Sequence, residues 1–182
     1  MVILIAITPD VNMVFYKLSG AEITYKKLVE FRVCMVTGYS GGANLPLLDQ
    51  FSGGGDGNQA GKIYEPLAET LSAGPYGRFV SSEGKIPFIT NSNEQNSGHM
   101  AQGFAKRSGI VGVTLTTSGP GVTNIITPLQ DALSDGVPMI AMAGQVPTNA
   151  PPDAFQECDA IALTKACTKW NYKITDATDI RH

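Results

Sequence analysis

Glu94 follows a short apolar run, Ile86-Pro87-Phe88-Ile89, and stands after the polar residues Asn91-Ser92-Asn93, where a helical pattern begins. A carboxylate at a strand-to-helix junction is either an N-terminal helix residue favoured by the helix dipole or a functional acid that moves a proton. Three other stretches share this setting. Gly38-Tyr39-Ser40-Gly41-Gly42-Ala43 follows the apolar Val33-Cys34-Met35-Val36. Its glycines let the backbone turn tightly and approach a ligand, although an ordinary strand-to-helix turn stays open and the pattern is not G-x-G-x-x-G. Ser118-Gly119-Pro120-Gly121-Val122-Thr123-Asn124 follows a strand at residues 112–117. Ser118 is placed to cap a helix with Pro120 in its first turn, where free N–H groups suit an anion or a polar ring edge. Gly144-Gln145 ends the apolar run of residues 137–143, in which Pro138 fits only near the start.

These junctions depend on the elements around them. Ser19 with Glu22 forms a capping box, and Leu18 and Ile23 are spaced as a hydrophobic staple, so a helix is expected from Ser19 to about Phe31. Leu45, Leu48 and Phe51 mark a second helix, and Ala101, Phe104 and Ala105 a third that stops at Ser108-Gly109. Pro128 should kink the helix that follows Asn124. A short helix to about Ala166 and an alternating strand over residues 167–173 come last. Strands alternating with helices predict an α/β fold, a parallel sheet with helices on both faces. The four junctions then emerge on one sheet edge, where such folds bind ligands.

The remaining segments carry less chemistry. Residues 52–85 form an excursion, including Gly55-Asp56-Gly57, which lacks the downstream oxygen ligand of a magnesium-diphosphate site and reads as a flexible turn. Residues 1–18 are set apart as a tail, with Met1-Val2-Ile3-Leu4-Ile5-Ala6-Ile7 as a strand or a loose end. That run lacks the basic flank of a signal peptide and the arginines of a transit peptide, so targeting is unsupported and the default expectation is an intracellular, cytoplasmic location.

The chain's 182 residues, 43% hydrophobic and 16% charged, suit one globular domain with a sizeable core. A net charge of -3 without a Lys/Arg run gives no nucleic-acid footprint, and no run is long enough to span a membrane. The expected partner is a small molecule. Cys34, Cys158 and Cys167 lack the spacing of a metal site and are expected as free thiols.

Taken together, the motifs resemble the thiamine-diphosphate-dependent enzymes, and within them acetolactate synthase (acetohydroxyacid synthase). The resemblance rests on the 38–43 loop, Asn93-Glu94-Gln95 with Gly98-His99-Met100-Ala101, Thr117-Ser118-Gly119-Pro120-Gly121 with Thr123-Asn124, Asp131-Ala132-Leu133-Ser134-Asp135-Gly136-Val137-Pro138, Gly144-Gln145-Val146-Pro147, and Asp153-Ala154-Phe155-Gln156-Glu157 with Cys167-Thr168-Lys169-Trp170. It covers residues 19–173 apart from the excursion.

The resemblance implies the pyrimidine-binding (PYR) domain of that family. Glu94 would hydrogen-bond N1' of the cofactor's aminopyrimidine and open the proton relay that activates thiamine diphosphate toward pyruvate or another 2-keto acid. Gly38, Tyr39, Gly41 and Gly42 would lie beside the ring, Gly119, Pro120 and Asn124 would line its pocket, and Gln145 would stand near the reacting centre. Phe155 and Gln156 would belong to the substrate pocket, with core packing the plainer reading of Phe155 and a polar contact in the first helical turn that of Asn124. No metal ligand is expected in this chain. The family's magnesium-diphosphate domain and the FAD-binding domain of acetolactate synthases lie outside it, as do a last helix and strand expected after Trp170. The expectation is therefore a fragment that is inactive alone, within a homo-oligomer. The alternative is a truncated, non-catalytic relative that associates with a full-length homologue. Ser40 replaces the family's common proline and Asn93 the usual histidine, and both substitutions bear on substrate more than on fold.

Overall fold

The computed structural model describes residues 2–7, 18–52 and 86–181. Gly55-Asp56-Gly57 and the rest of the 53–85 segment lie outside the described residues. Among the described residues six strands form one sheet: β1 (Val2–Ile7), β2 (Val36–Gly38), β3 (Phe88–Thr90), β4 (Gly112–Thr116), β5 (Met139–Gly144) and β6 (Trp170–Ile174). Their order is β3-β2-β4-β5-β1-β6, and every pairing is parallel. Helices α1 (Gly20–Glu30), α2 (Leu45–Ser52), α3 (Glu94–Ser108), α4 (Pro120–Asn124), α5 (Ile126–Ser134) and α6 (Ala160–Thr164) cover it.

Alternation along the strands explains the two layers, because successive side chains point to opposite faces. Met139, Ala141 and Ala143 pack with Ala101 and Ala105 of α3, Leu129 and Ala132 of α5, and Ala160 of α6. Met142, Val113 and Leu115 face the other way, toward Leu28 of α1 and Leu47 of α2. A strand covered on both faces must be apolar nearly throughout, and this is the pattern of residues 139–144.

The N-terminal run takes the first of its two expected forms, a strand rather than a loose end. Val2–Ile7 is a strand seated between β5 and β6, two strands that follow each other in sequence but do not pair. Its register runs from Val2↔Met139 to Ile7↔Gly144 on one side and from Ile3↔Trp170 to Ile7↔Ile174 on the other. An unbroken apolar sequence suits that interior place better than a solvated end.

Helix α1 begins as its sequence signals. Ser19 is the N-cap, its hydroxyl accepting from the Glu22 N–H (3.2 Å), while the Glu22 carboxylate accepts from the Ser19 N–H (2.6 Å). Ser19→Ala is expected to cost about 1 kcal/mol in urea unfolding. The bonds from the Ser19 backbone and hydroxyl hold the Glu22 carboxyl below its usual range. Its contribution is thus complete above the unfolded carboxyl's pKa of about 4.3 and is lost as pH falls through the lowered folded value. The stability gap between wild type and Ser19→Ala should therefore narrow in acid.

Other boundaries shift. β2 starts at Val36 because Arg32, at φ 54, turns the chain after α1 and the Val33 N–H donates back to the Leu28 carbonyl. The expected kink at Pro128 appears as a break at Ile125 (φ -96, ψ 2) between α4 and α5. A proline ring meets the carbonyl of the residue four before it, here Asn124, so a continuous helix fails at that place.

Candidate functional site

The four marked junctions come off β3, β2, β4 and β5, which are contiguous in the sheet. Glu94 is the first residue of α3, with Asn93 as N-cap accepting from the Asn96 N–H (2.8 Å). Asn93 thus serves here as a cap, for which asparagine is among the best residues. Glu94 is only 6% exposed. Its Oε2 accepts from Asn124 Nδ2 at 2.9 Å, joining two predicted site residues from different loops. Its Oε1 has no hydrogen-bond donor among the described residues.

Close packing of α3 on α5 produces that meeting. A Cβ on Gly98 would overlap Pro128 Cγ, so only glycine allows the two helices to approach this closely. The break before Pro128 leaves Asn124 as the last residue of α4. Thr37 anchors α3 to the sheet from below, its hydroxyl donating to the carbonyl of buried Ser97 (2.7 Å). Sequence reasoning did not single out Thr37; a polar residue inside a buried strand, directly before Gly38, was the signal available.

The other loops close around this pair. Tyr39 N–H donates to the Leu115 carbonyl and Asn91 N–H to the Gly38 carbonyl, each at 3.1 Å. Gly41 rests on Thr117, where an added Cβ would come within 2.5 Å of the threonine side chain, and Gly144 abuts the backbone of Ala43. Thr117 Oγ1 is buried without a hydrogen-bond partner among the described residues, as are Thr114 Oγ1 and Thr116 Oγ1. Gly42 has open space above it, and Tyr39 is partly exposed.

In the third loop, Ser118 does not cap the helix by its side chain. Gly119, at φ 53, occupies the cap position and turns the peptide so that the Ser118 carbonyl accepts from the Gly121 N–H. Gly119 also packs against Gln156, whose carbonyl would stand 2.5 Å from a Cβ there. Gly119→Ala should therefore cost roughly 1–3 kcal/mol, from left-handed backbone and displaced loop together, in chemical denaturation. Gly42→Ala, with nothing to meet, should stay within about 0.5 kcal/mol.

The remaining predicted residues are placed unevenly. Gln145 is buried, and its Oε1 accepts from the Val146 N–H (3.3 Å) rather than reaching Glu94. Pro120 is exposed at the start of α4. Phe155 is 89% exposed, which rules out core packing, and it lies between Asp153 and Gln156, both in the left-handed region (φ 58 and 60). Cys158 Sγ lies 3.7 Å from the Gly119 carbonyl; burial, with Asp159 and Glu157 nearby, pushes its thiol above the ordinary range. It is therefore a poor nucleophile at neutral pH. Among the described residues no His, Cys, Asp and Glu cluster could hold a metal ion, and no helix is long and apolar enough to cross a membrane.

A buried carboxylate at a helix start, with one oxygen held and the other without a donor among the described residues, can accept a hydrogen bond or exchange a proton with a polar ring edge. Residues 64–163 match the family model described as thiamine pyrophosphate enzyme, N-terminal TPP binding domain. That match begins inside the excursion left out of the resemblance, so the excursion's later part lies within the family. The chain is 36% identical over 173 residues to the mitochondrial acetolactate synthase catalytic subunit of Saccharomyces cerevisiae, covering 94% of this chain and 21% of that protein. It is 37% identical over 163 residues to the acetolactate synthase large subunit of Lactococcus lactis, covering 89% of this chain and 23% of that protein. With the Corynebacterium glutamicum large subunit the identity is 36% over 165 residues, covering 90% of this chain and 22% of that protein. The chain thus spans about a fifth of the length of these curated relatives. With its parallel sheet, its four converging loops and these matches, the chain belongs to the N-terminal TPP-binding domains of the thiamine pyrophosphate enzymes.

Proposed function

We propose that this chain supplies the pyrimidine-holding half of an acetolactate-synthase-like active site, which decarboxylates pyruvate or another 2-keto acid and joins the product to a second keto acid. The observation that carries the reading is the buried Glu94–Asn124 pair, with no donor to Glu94 Oε1 among the described residues. Those residues fit an aminopyrimidine: Glu94 would meet its ring nitrogen N1', and Asn124 would hold the carboxyl in place. Gly38, Tyr39, Gly41 and Gly42 would flank the ring, with Gly119, Pro120 and Gln145 closing the pocket and Phe155 and Gln156 toward the substrate. Thiamine diphosphate would supply the carbanion chemistry, while the chain orients it and moves a proton at Glu94. Magnesium, the diphosphate site and FAD would belong to domains outside this chain, and the working enzyme would be an oligomer.

Titration calorimetry tests the division of labour. If the chain holds only the pyrimidine end, thiamine and thiamine diphosphate should bind it with affinities within about tenfold, or 1.4 kcal/mol. Binding of neither would overturn the proposal. Addition of the diphosphate-binding part of the enzyme should then favour thiamine diphosphate strongly and yield 2-acetolactate from pyruvate.

A further inference from the structure

The loop between β2 and α2 is closed by one side chain. Asn44, 2% exposed, accepts from the Gly41 N–H at Oδ1 and donates from Nδ2 to the Tyr39 carbonyl, both at 2.9 Å. Its own N–H donates to the Gly41 carbonyl at 3.1 Å. The amide orientation follows from chemistry, since an N–H needs an acceptor and a carbonyl a donor. One residue thus fixes the peptide groups on both sides of Ser40, which is itself exposed. Thr117 supports the loop beneath Gly41, and Gly144 supports Ala43.

A proline at position 40 would fix φ near −65° and stiffen such a turn covalently. Serine leaves that torsion free, and the two Asn44 side-chain bonds hold the peptide groups that flank it. We propose that Asn44 is a positioning residue for the pyrimidine site, replacing with two hydrogen bonds the rigidity that a proline at position 40 would provide. This rests on reading residues 38–43 as a ligand-facing loop. Asn44 touches no ligand and acts through Tyr39 and Gly41. Without it, two backbone groups lose their partners, and ligand binding must bear the cost of ordering the loop.

The test uses the full chain as wild type, Asn44→Val, Asn44→Ser, Ser40→Pro and the Ser40→Pro/Asn44→Val double variant. Amide hydrogen exchange is followed across residues 36–44 and 112–117, and thiamine affinity is measured by calorimetry. In Asn44→Val the Gly41 amide should exchange at least tenfold faster, with the Thr114 and Leu115 amides unchanged. Thiamine affinity should fall at least tenfold, and the double variant should recover most of that loss relative to Ser40→Pro alone. A purely structural role would lower stability without this recovery. If Asn44→Val does not fold, Asn44→Ser gives the same readouts, because serine is too short to reach both partners. Gly41 exchange and thiamine affinity within twofold of wild type, or a double variant that binds no better than Asn44→Val, would overturn the proposal. A wild-type chain that binds no thiamine overturns instead the reading of the loop as ligand-facing, and the exchange data then still decide whether Asn44 braces it.

Discussion

Glu94→Gln, assembled with the diphosphate-binding part of the enzyme, should slow C2 hydrogen–deuterium exchange of bound thiamine diphosphate by about 10²–10⁴-fold, the usual range for a positioned acid–base group. Glutamine keeps the shape and can still accept from Asn124 Nδ2, so the fold and the pocket wall survive. What it loses is the exchangeable proton. A competing reading makes Glu94 only a helix-start residue, because it opens α3 behind the Asn93 cap. Loss of that dipole interaction costs about 0.3–1 kcal/mol in stability and leaves exchange unchanged. The proton reading requires about 2.7–5.4 kcal/mol on the barrier at 1.36 kcal/mol per decade. The two effects differ in kind and in size, so rapid-quench NMR of the C2 proton separates them. Exchange within threefold of wild type would remove the proton role.

Removing residues 1–7 should abolish cooperative folding. β1 sits inside the sheet with six register partners on β5 and five on β6, so deletion opens both flanks at once. Each buried backbone group left unpaired costs about 1–3 kcal/mol. A handful of them matches the whole net stability of a domain, about 5–15 kcal/mol. β6 and the 3-10 turn that follows it (Ala177–Arg181) would also lose their attachment to the sheet, and with them the Ala177 and Ile180 contacts near Ile23 of α1. Far-ultraviolet circular dichroism should show no sigmoidal thermal transition in the truncated chain. A melting temperature within about 5 °C of the full chain, corresponding to roughly 1–2 kcal/mol, would show that β1 is dispensable.

Where local chemistry determined the structure, the sequence was readable. The Ser19–Glu22 box is closed within four residues and forms as its spacing requires. Gly109 ends α3 in the left-handed conformation (φ 72) that only glycine adopts cheaply, and Pro138 stands just before β5. Strand-helix alternation sufficed for the α/β class and for bringing four loops to one edge.

Long-range competition was harder to read. The apolar Val2–Ile7 sequence fits a buried strand, but nothing local says that it goes between β5 and β6. Gly119 shows the same limit: Ser118 offers a good capping hydroxyl, yet contact with Gln156 and the positive φ select another geometry. The sequence beside Asn44 signals only the helix marked by Leu45, Leu48 and Phe51, whereas the role of Asn44 depends on carbonyl and amide groups that converge only once the loop has closed. Glu94 and Asn124 stand 30 residues apart, and their hydrogen bond depends on the approach of α3 and α5 at Gly98 and Pro128.

The central claim is that Glu94 meets the pyrimidine nitrogen N1'. Nitrogen NMR of thiamine labelled with 15N at N1', titrated with the chain, reads that contact directly. The N1' resonance should move upfield on binding to wild type, as a ring nitrogen does when its lone pair takes a proton or a strong hydrogen bond; the shift should shrink with Glu94→Gln, whose amide can donate only a neutral hydrogen bond, and weaken with Asn124→Ala. Saturable binding that leaves the N1' resonance unmoved, or a shift that persists undiminished in Glu94→Gln, would contradict the account.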